Sequence, residues 1–296
     1  MTPPADPPAT TPTLSVVIPA HDAAETLPDQ LDALLAQTWT GPWEIVVVDN
    51  RSSDATARVA ADYAARDPRV RLVRADARAG VAYCRNVGLR AARADSIAMC
   101  DADDRVGPGW VAAMGSALVS NQLVTGPLDV DALNPAWVAG TRGRAIADGP
   151  GDFCGIPFAH SCNLGLRREL ADRCGDFDES LPAGEDIEWS FRAGRAGAVV
   201  TYVPDAAVQY RYRTSLGGLW RQARTYGQVR PRLVRRFRAA GTEVTPAPSW
   251  RGWLWLVRNL VLLASRDGRA RWLWVAGGQV GRMEATLRIP GAGSAP

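Results

Sequence analysis

The sequence predicts an α/β fold: a doubly wound, mainly parallel sheet flanked by helices, with a C-terminal helical extension. Three observations carry this expectation. Short apolar runs alternate with helical stretches in a β-α-β-α-β-α-β order over the first hundred residues. The second of these runs, Glu44 to Asp49, is β-branched without polar alternation, as a parallel strand covered on both faces looks. After residue 210 the texture changes to arginine and tryptophan.

The elements follow in order. Leu14 to Pro19 reads as a buried strand ended by its proline. Leu27, Leu31, Leu34 and Leu35 recur at helical spacing, predicting a helix over Glu25 to Gln37. Glu44 to Asp49 is the second strand, and Ser53 or Asp54 caps a helix from Ala55 to Ala65. Val70 to Val73, a helix over Gly80 to Ala92, and a strand over Ser96 to Cys100 complete the ladder. Farther on, strands are predicted at Val119 to Gly126, Cys162 to Leu166 and Val199 to Val203, with a helix over Gly184 to Gly197. Asn134 to Gly151 reads as a loop. Leu216 to Ala240 reads as helical with a break at Pro231, Thr245 to Pro248 as a linker, and Ser249 to Ser265 and Arg271 to Met283 as apolar helices.

Composition divides the chain. With 296 residues, 47% of them hydrophobic, there is ample material for a core. Residues 1–210 hold 18 arginines and 28 acidic residues, a net charge of −10, whereas residues 211–296 hold 16 arginines and 3 acidic residues, a net of +13. The expected organisation is a Pro- and Thr-rich disordered tail over 1–13, a catalytic domain over 14–210 and an Arg/Trp-rich extension over 211–296. The tail has neither the basic residue nor the apolar run of a signal peptide. The five cysteines form no CxxC pair, so a disulfide framework or zinc site is not expected, and a reducing cytoplasm fits.

The chemistry gathers at strand ends. Asp101-Ala102-Asp103-Asp104 follows the apolar run Ser96 to Cys100. Carboxylates spaced by two at a strand end lean to one side, and with a diphosphate they suit a hard cation such as Mg2+ or Mn2+. In a parallel sheet His21, Asp49 and Asp101 share the C-terminal edge, where open α/β folds bind ligands. There Asp49 suits a nucleobase N–H, His21 the base face, Asp101 a ribose or sugar hydroxyl and Asp103 the metal. Asp49 would equally suit a turn. Glu185-Asp186 stands where a loop enters a helix. It suits an acid–base group, and equally a charged helix N-terminus.

Six segments in this order resemble the family 2 glycosyltransferases of the GT-A fold: "SVVIPAHD", "IVVVDNRSSD", "GVAYCRNVGLRAA", "DADD", "SCNLGLRRE" and "GEDIEWSFR". The resemblance spans about residues 14 to 210. It implies an inverting, metal-dependent transferase that moves a single sugar from a UDP-, GDP- or dTDP-linked donor to a hydroxyl acceptor. A role in cell-envelope or glycolipid and polysaccharide synthesis fits. It places Pro19, His21, Asp49, Arg85, Asn86 and Asp101 on the nucleotide sugar, Asp103 on Mn2+ or Mg2+, and Asp186 as base beside Glu185. His160, Asn163 and Trp189 become candidates for the acceptor side, although a lone histidine before a strand is more often structural. His21-Asp22 stands where the family usually carries Tyr-Asn, and Asp49-Asn50 where Asp-Asp is frequent. The QxxRW signature of processive synthases is absent, which points to single-sugar transfer. The other reading is a GT-A-like module that binds nucleotide without catalysis.

Six of the 11 tryptophans fall after residue 210, beside the arginines. Together they suit an anionic membrane surface, met from the cytoplasmic side as a peripheral protein. Ordinary packing onto the catalytic domain is the alternative, and the segment is too apolar for nucleic acid.

Overall fold

The computed structural model describes residues 11–142 and 148–287. Residues 1–10, most of the expected tail, lie outside the described residues. Thr13 is not free: its N–H donates to Pro42 O at 2.7 Å, and its hydroxyl to the same oxygen at 3.0 Å.

Four parallel strands form the expected ladder: β1 (Leu14–Ala20), β2 (Trp43–Asp49), β3 (Val70–Arg74) and β4 (Ser96–Cys100), joined by α1 (Leu27–Leu35), α2 (Thr56–Arg66) and α3 (Val81–Ala91). β1 runs through Pro19 to Ala20 and pairs with β2 from Leu14–Trp43 to Ala20–Asp49. Every residue of β1, β2 and β4 is buried, because helices cover both faces.

Beyond β4 come β5 (Arg105–Val106), α4 (Trp110–Ser120), β6 (Leu123–Thr125), β7 (Leu128–Asp129), α5 (Ala136–Ala139), β8 (Gly151–Phe153), β9 (Ile156–Phe158) and β10 (Asn163–Arg167). Then follow α6 (Arg168–Cys174), α7 (Glu185–Arg195), β11 (Val200–Tyr202), β12 (Val208–Gln209), α8 (Leu216–Ala239), α9 (Ser249–Arg258) and α10 (Arg266–Leu287). The main sheet has the order β11-β6-β10-β4-β1-β2-β3. β10 is antiparallel to both neighbours, so the sheet is mainly parallel. One core layer sets Leu27, Leu31 and Leu34 of α1 with Trp110 and Met114 of α4 against the sheet. The other uses Leu89, Leu170, Phe177 and Trp189.

Four expectations need correction. Val119 and Ser120 close α4, and the strand is only Leu123–Thr125. Trp110, Val111, Met114 and Leu118 give that helix its buried face. Asn134 to Gly151 holds the short α5 and the first residue of β8, with 143–147 outside the described residues. Pro231 does not break α8. An interior proline costs about 3 kcal/mol, which packing offsets here. Phe237 stacks on Phe191 of α7 at 4.0 Å, and α10 lies along the helix. The two helices touch through glycine: a Cβ on Gly227 would fall 2.2 Å from Gly278 O, and one on Gly281 2.0 Å from Arg224 O. The first apolar helix, expected to reach Ser265, ends at Arg258 and gives way to a 3-10 turn over Leu260–Ala264. Asn259 Nδ2 donates to Trp255 O at 2.7 Å and takes up a terminal carbonyl.

Candidate active site

The parallel strands β1, β2 and β4 bring their C-terminal ends to one edge of the sheet. Asp49, the last residue of β2, is fully buried. Arg74 Nη1 lies 2.8 Å from its Oδ2 outside hydrogen-bonding geometry, and neither oxygen accepts a hydrogen bond. A buried carboxylate in that state is stabilised by any ligand N–H that reaches it. His21 Nδ1–H donates to Asn50 O at 2.8 Å, which sets the tautomer, and the ring is largely exposed. Pro19 is buried inside β1 opposite Val48, so it shapes the strand and offers nothing to a ligand.

Arg85 of α3 is the hub. Its Nη2 donates to Asp101 Oδ1 at 2.7 Å and its Nη1 to Glu185 Oε1. Burial alone would lower the guanidinium pKa, but the carboxylates of Asp101 and Glu185 outweigh it and the pKa is raised. Burial pushes Glu185 up to about 7, against the pull of Arg85 and helped by Asp186. Glu185 is therefore held, while its neighbour is open. Asp186 accepts from Ser161 N–H at 3.2 Å and Ile187 N–H at 2.8 Å, and forms no ion pair among the described residues.

The acidic cluster sits across from it. Asp103 faces the cavity with Oδ2 3.6 Å from Arg213 Nη1. Asp104 is fully buried; its Oδ1 accepts Arg211 N–H at 2.7 Å and its Oδ2 has no partner. Burial first raises the pKa of both, and repulsion second, from Asp101 on Asp103 and from Asp103 and Asp101 on Asp104. Asp101, Asp104 and Cys162 each offer an atom within 4.8 Å of the others. Burial holds the Cys162 thiol protonated, so the carboxylates are the donors that fit, and they fit a hard cation.

Arg85, Asp101, Asp103, His160, Glu185 and Asp186 thus line one cavity of about 1090 Å³. His160 Nε2 has no partner; burial lowers its pKa against the pull of Asp186, which keeps the imidazole neutral. Six expected site residues stay outside that lining: Pro19, His21 and Asp49 at the ends of β1 and β2, and Asn86, Asn163 and Trp189. Asn86 is buried, donates to Phe177 O and Glu179 Oε1 at 2.9 Å and accepts from Phe177 N–H at 2.8 Å; it braces the chain and leaves nothing for a donor. Asn163 spends its amide on Trp110 Nε1 at 2.8 Å and on the carbonyls of Pro127 and Ala206, at 3.1 and 2.8 Å. Trp189 is buried on Phe177 and donates to Gly175 O at 2.8 Å. Neither of these two reaches an acceptor.

Sequence reasoning missed the wall opposite the sheet, which α8 and α10 supply. Arg142 stacks between Trp274 and Tyr212, 3.8 and 4.2 Å from their ring centroids, and donates to Gln222. The arginine enrichment after residue 210 was the available signal, but nothing local says that these helices fold back over the cleft.

Residues 15–175 match the family described as glycosyl transferase family 2. The glycosyltransferase AglE of Haloferax volcanii is 26% identical over 209 residues, 67% of this chain and 66% of that protein. The uncharacterized glycosyltransferase YibD of Escherichia coli is 37% identical over 76 residues, 26% of this chain and 22% of that protein. The chain therefore spans just under two thirds of one of these relatives and less than a quarter of the other. Among solved structures, the mannosyltransferase PcManGT of Pyrobaculum calidifontis, in complex with GDP-Man and Mn2+, aligns with a TM-score of 0.63 at 20% identity. That alignment covers 94% of this chain and 89% of the other. TarS of S. aureus with UDP-GlcNAc aligns with a TM-score of 0.54 at 16% identity, over 93% and 92% of the two chains. At these identities the structural likenesses speak for the fold, which is GT-A.

Proposed function

Because this chain belongs to glycosyl transferase family 2 and is a glycosyltransferase, we propose that it moves one sugar, with inversion, from a nucleoside diphosphate sugar to an acceptor hydroxyl. The observation that carries this reading is the division of labour around Arg85. Asp101 and Glu185 are clamped by it, whereas Asp186 forms no ion pair among the described residues and lines the same cavity as Asp103. One open carboxylate is what inversion needs; a retaining path would need a nucleophile beside it.

In this reading Asp49 accepts a nucleobase N–H, His21 covers the base and Asp101 meets a ribose or sugar hydroxyl. Asp103, with Asp101 at its side, would hold Mn2+ or Mg2+, which would supply positive charge to offset that of the diphosphate. Asp186 takes the proton of the acceptor hydroxyl as that oxygen bonds to the anomeric carbon and the carbon–oxygen bond to the diphosphate breaks. Neutral His160 borders the acceptor. The relatives solved with GDP-Man, with UDP-GlcNAc and with Mn2+ support a nucleotide-sugar donor and a divalent cation. A UDP-, GDP- or dTDP-sugar is the class expected.

The chain acts at the cytoplasmic face of a membrane in cell-envelope, glycolipid or polysaccharide synthesis, in the same proposal. No helix among the described residues is long and apolar enough to cross a membrane. The support is the open face of α9 and the 3-10 turn, where Trp250, Val257 and Val261 are 60, 67 and 79% exposed. Trp272 and Trp274 do not belong to that face. Trp272 donates to Leu256 O at 3.1 Å, and Trp274 packs on Arg142 and Tyr226.

The test of the donor site is binding of UDP, GDP and dTDP with Mn2+. Asp103→Asn should weaken the preferred nucleotide at least tenfold, the loss of one charge-assisted contact, with an unchanged unfolding midpoint. Equal affinity in both proteins would remove Asp103 from the metal site.

A further inference from the structure

A second cavity, of about 730 Å³, lies behind the catalytic one, between α8, α10 and the segment before α9. Its floor is apolar, with Pro231, Val234, Pro246 and Pro248 among its residues. Four arginines, Arg230, Arg235, Arg238 and Arg282, line it with no carboxylate. Arg230 and Arg282 line both cavities, so they stand where one opens into the other.

These two guanidinium groups are placed but not neutralised. Arg230 Nη2 reaches Cys154 Sγ at 3.2 Å and its plane lies over Phe153; Arg282 Nη1 donates to Ala247 O at 3.3 Å. The Nε of each is buried without a partner, as is Oε1 of nearby Gln279. Neither forms an ion pair among the described residues. Burial and the like charge of Arg230 hold the Arg282 guanidinium below its usual pKa. Two half-buried cations side by side, each with its Nε buried and unpartnered, repel each other, which an anion between them offsets, and arginine forks match phosphate oxygens.

We propose that Arg230 and Arg282 bind the phosphate of an amphiphilic acceptor, an alkyl phosphate ester whose apolar chain lies in the second cavity. The chemistry of the cavity selects this class. A free inorganic anion would use the arginines and leave the proline and valine floor wet; a neutral lipid would leave the arginines unpaired. The cavity also ends at Ser249, the first residue of α9, whose outer face carries the exposed tryptophans. An acceptor phosphate held at the junction would set the rest of the acceptor toward Asp186. This rests on the transferase reading for its purpose, but not for its test.

The test is calorimetric titration with decyl phosphate below its micelle concentration, with a chelator and no nucleotide, against inorganic phosphate and decanol. The wild type should bind decyl phosphate saturably and more tightly than either control. Arg230→Gln and Arg282→Gln should each weaken it roughly tenfold, the scale of one charged hydrogen bond. Asp103→Asn should bind as the wild type does, which separates this site from the donor site. If a glutamine variant unfolds, Arg282→Lys keeps the charge and should retain more binding than a neutral variant of the same site. Three results overturn the proposal: no binding of decyl phosphate, equal binding by wild type and glutamine variants, or inorganic phosphate binding as tightly. The last would assign the arginines to a soluble phosphate.

Discussion

Asn50 and Glu185 show how single groups shape the cleft. Asn50 Nδ2 donates to Ala75 O at 2.5 Å and Arg78 O at 2.8 Å, and its Oδ1 accepts Gly80 N–H at 2.9 Å. An aspartate there would accept the last bond but donate neither of the others. The departure from the family's frequent Asp-Asp thus ties the end of β2 to the entry of α3, beside Arg85. Glu185 gives a pH signature. Its carboxyl is raised from 4.5 to about 7 by burial. Between those values the folded protein keeps a proton that the unfolded chain has released, so this group's stabilisation is complete below about 4.5 and lost as pH rises through about 7. Glu185→Gln keeps the shape and removes the titration. The unfolding midpoint of the wild type, taken relative to this variant, should fall between about pH 5 and 7.5. A constant difference across that range would show that Glu185 is ionised throughout.

At the scale of elements, β1, β2 and β4 were legible because each is buried on both faces and so reads as a nearly continuous apolar run, and β3 from its place in the alternation. The residues at their ends were legible for the same reason. α4, the antiparallel direction of β10 and the unbroken course of α8 were not. Their identity depends on partners far along the chain, such as Phe191 stacking on Phe237. Asn163 and Trp189 read as site residues because each carries a polar atom near a motif. Only the fold shows those atoms already bonded. Arg230 and Arg282 were invisible as a pair, since α10 must first return along α8. That return depends on glycine. Gly281→Ala should destabilise by roughly 1–3 kcal/mol, because its methyl meets a backbone carbonyl. Gly194→Ala in α7, with nothing within 4 Å of its Cβ, should stabilise by roughly 0.5–1 kcal/mol. Unfolding midpoints that move the same way would contradict the packing of α10 on α8.

The whole molecule is electrostatically divided, and its two parts meet at the cleft. The acidic sheet edge offers carboxylates to a cation and an acceptor proton, while the basic helices close the other side and present α9 outward. Because Trp250, Val257 and Val261 lie in the open, sedimentation with liposomes should rise with anionic lipid and fall with salt. Trp250→Ala with Val257→Ser should reduce it; protein that stays in the supernatant at low salt would leave α9 without a membrane role. The measurement closest to the central claim is hydrolysis of the preferred nucleotide sugar with Mn2+, water standing in for the acceptor, by wild type, Asp186→Asn and Glu185→Gln. Asp186→Asn should keep donor affinity and lose kcat by roughly 100-fold or more. Wild-type kcat in Asp186→Asn, with turnover abolished in Glu185→Gln, would contradict the assignment of the base.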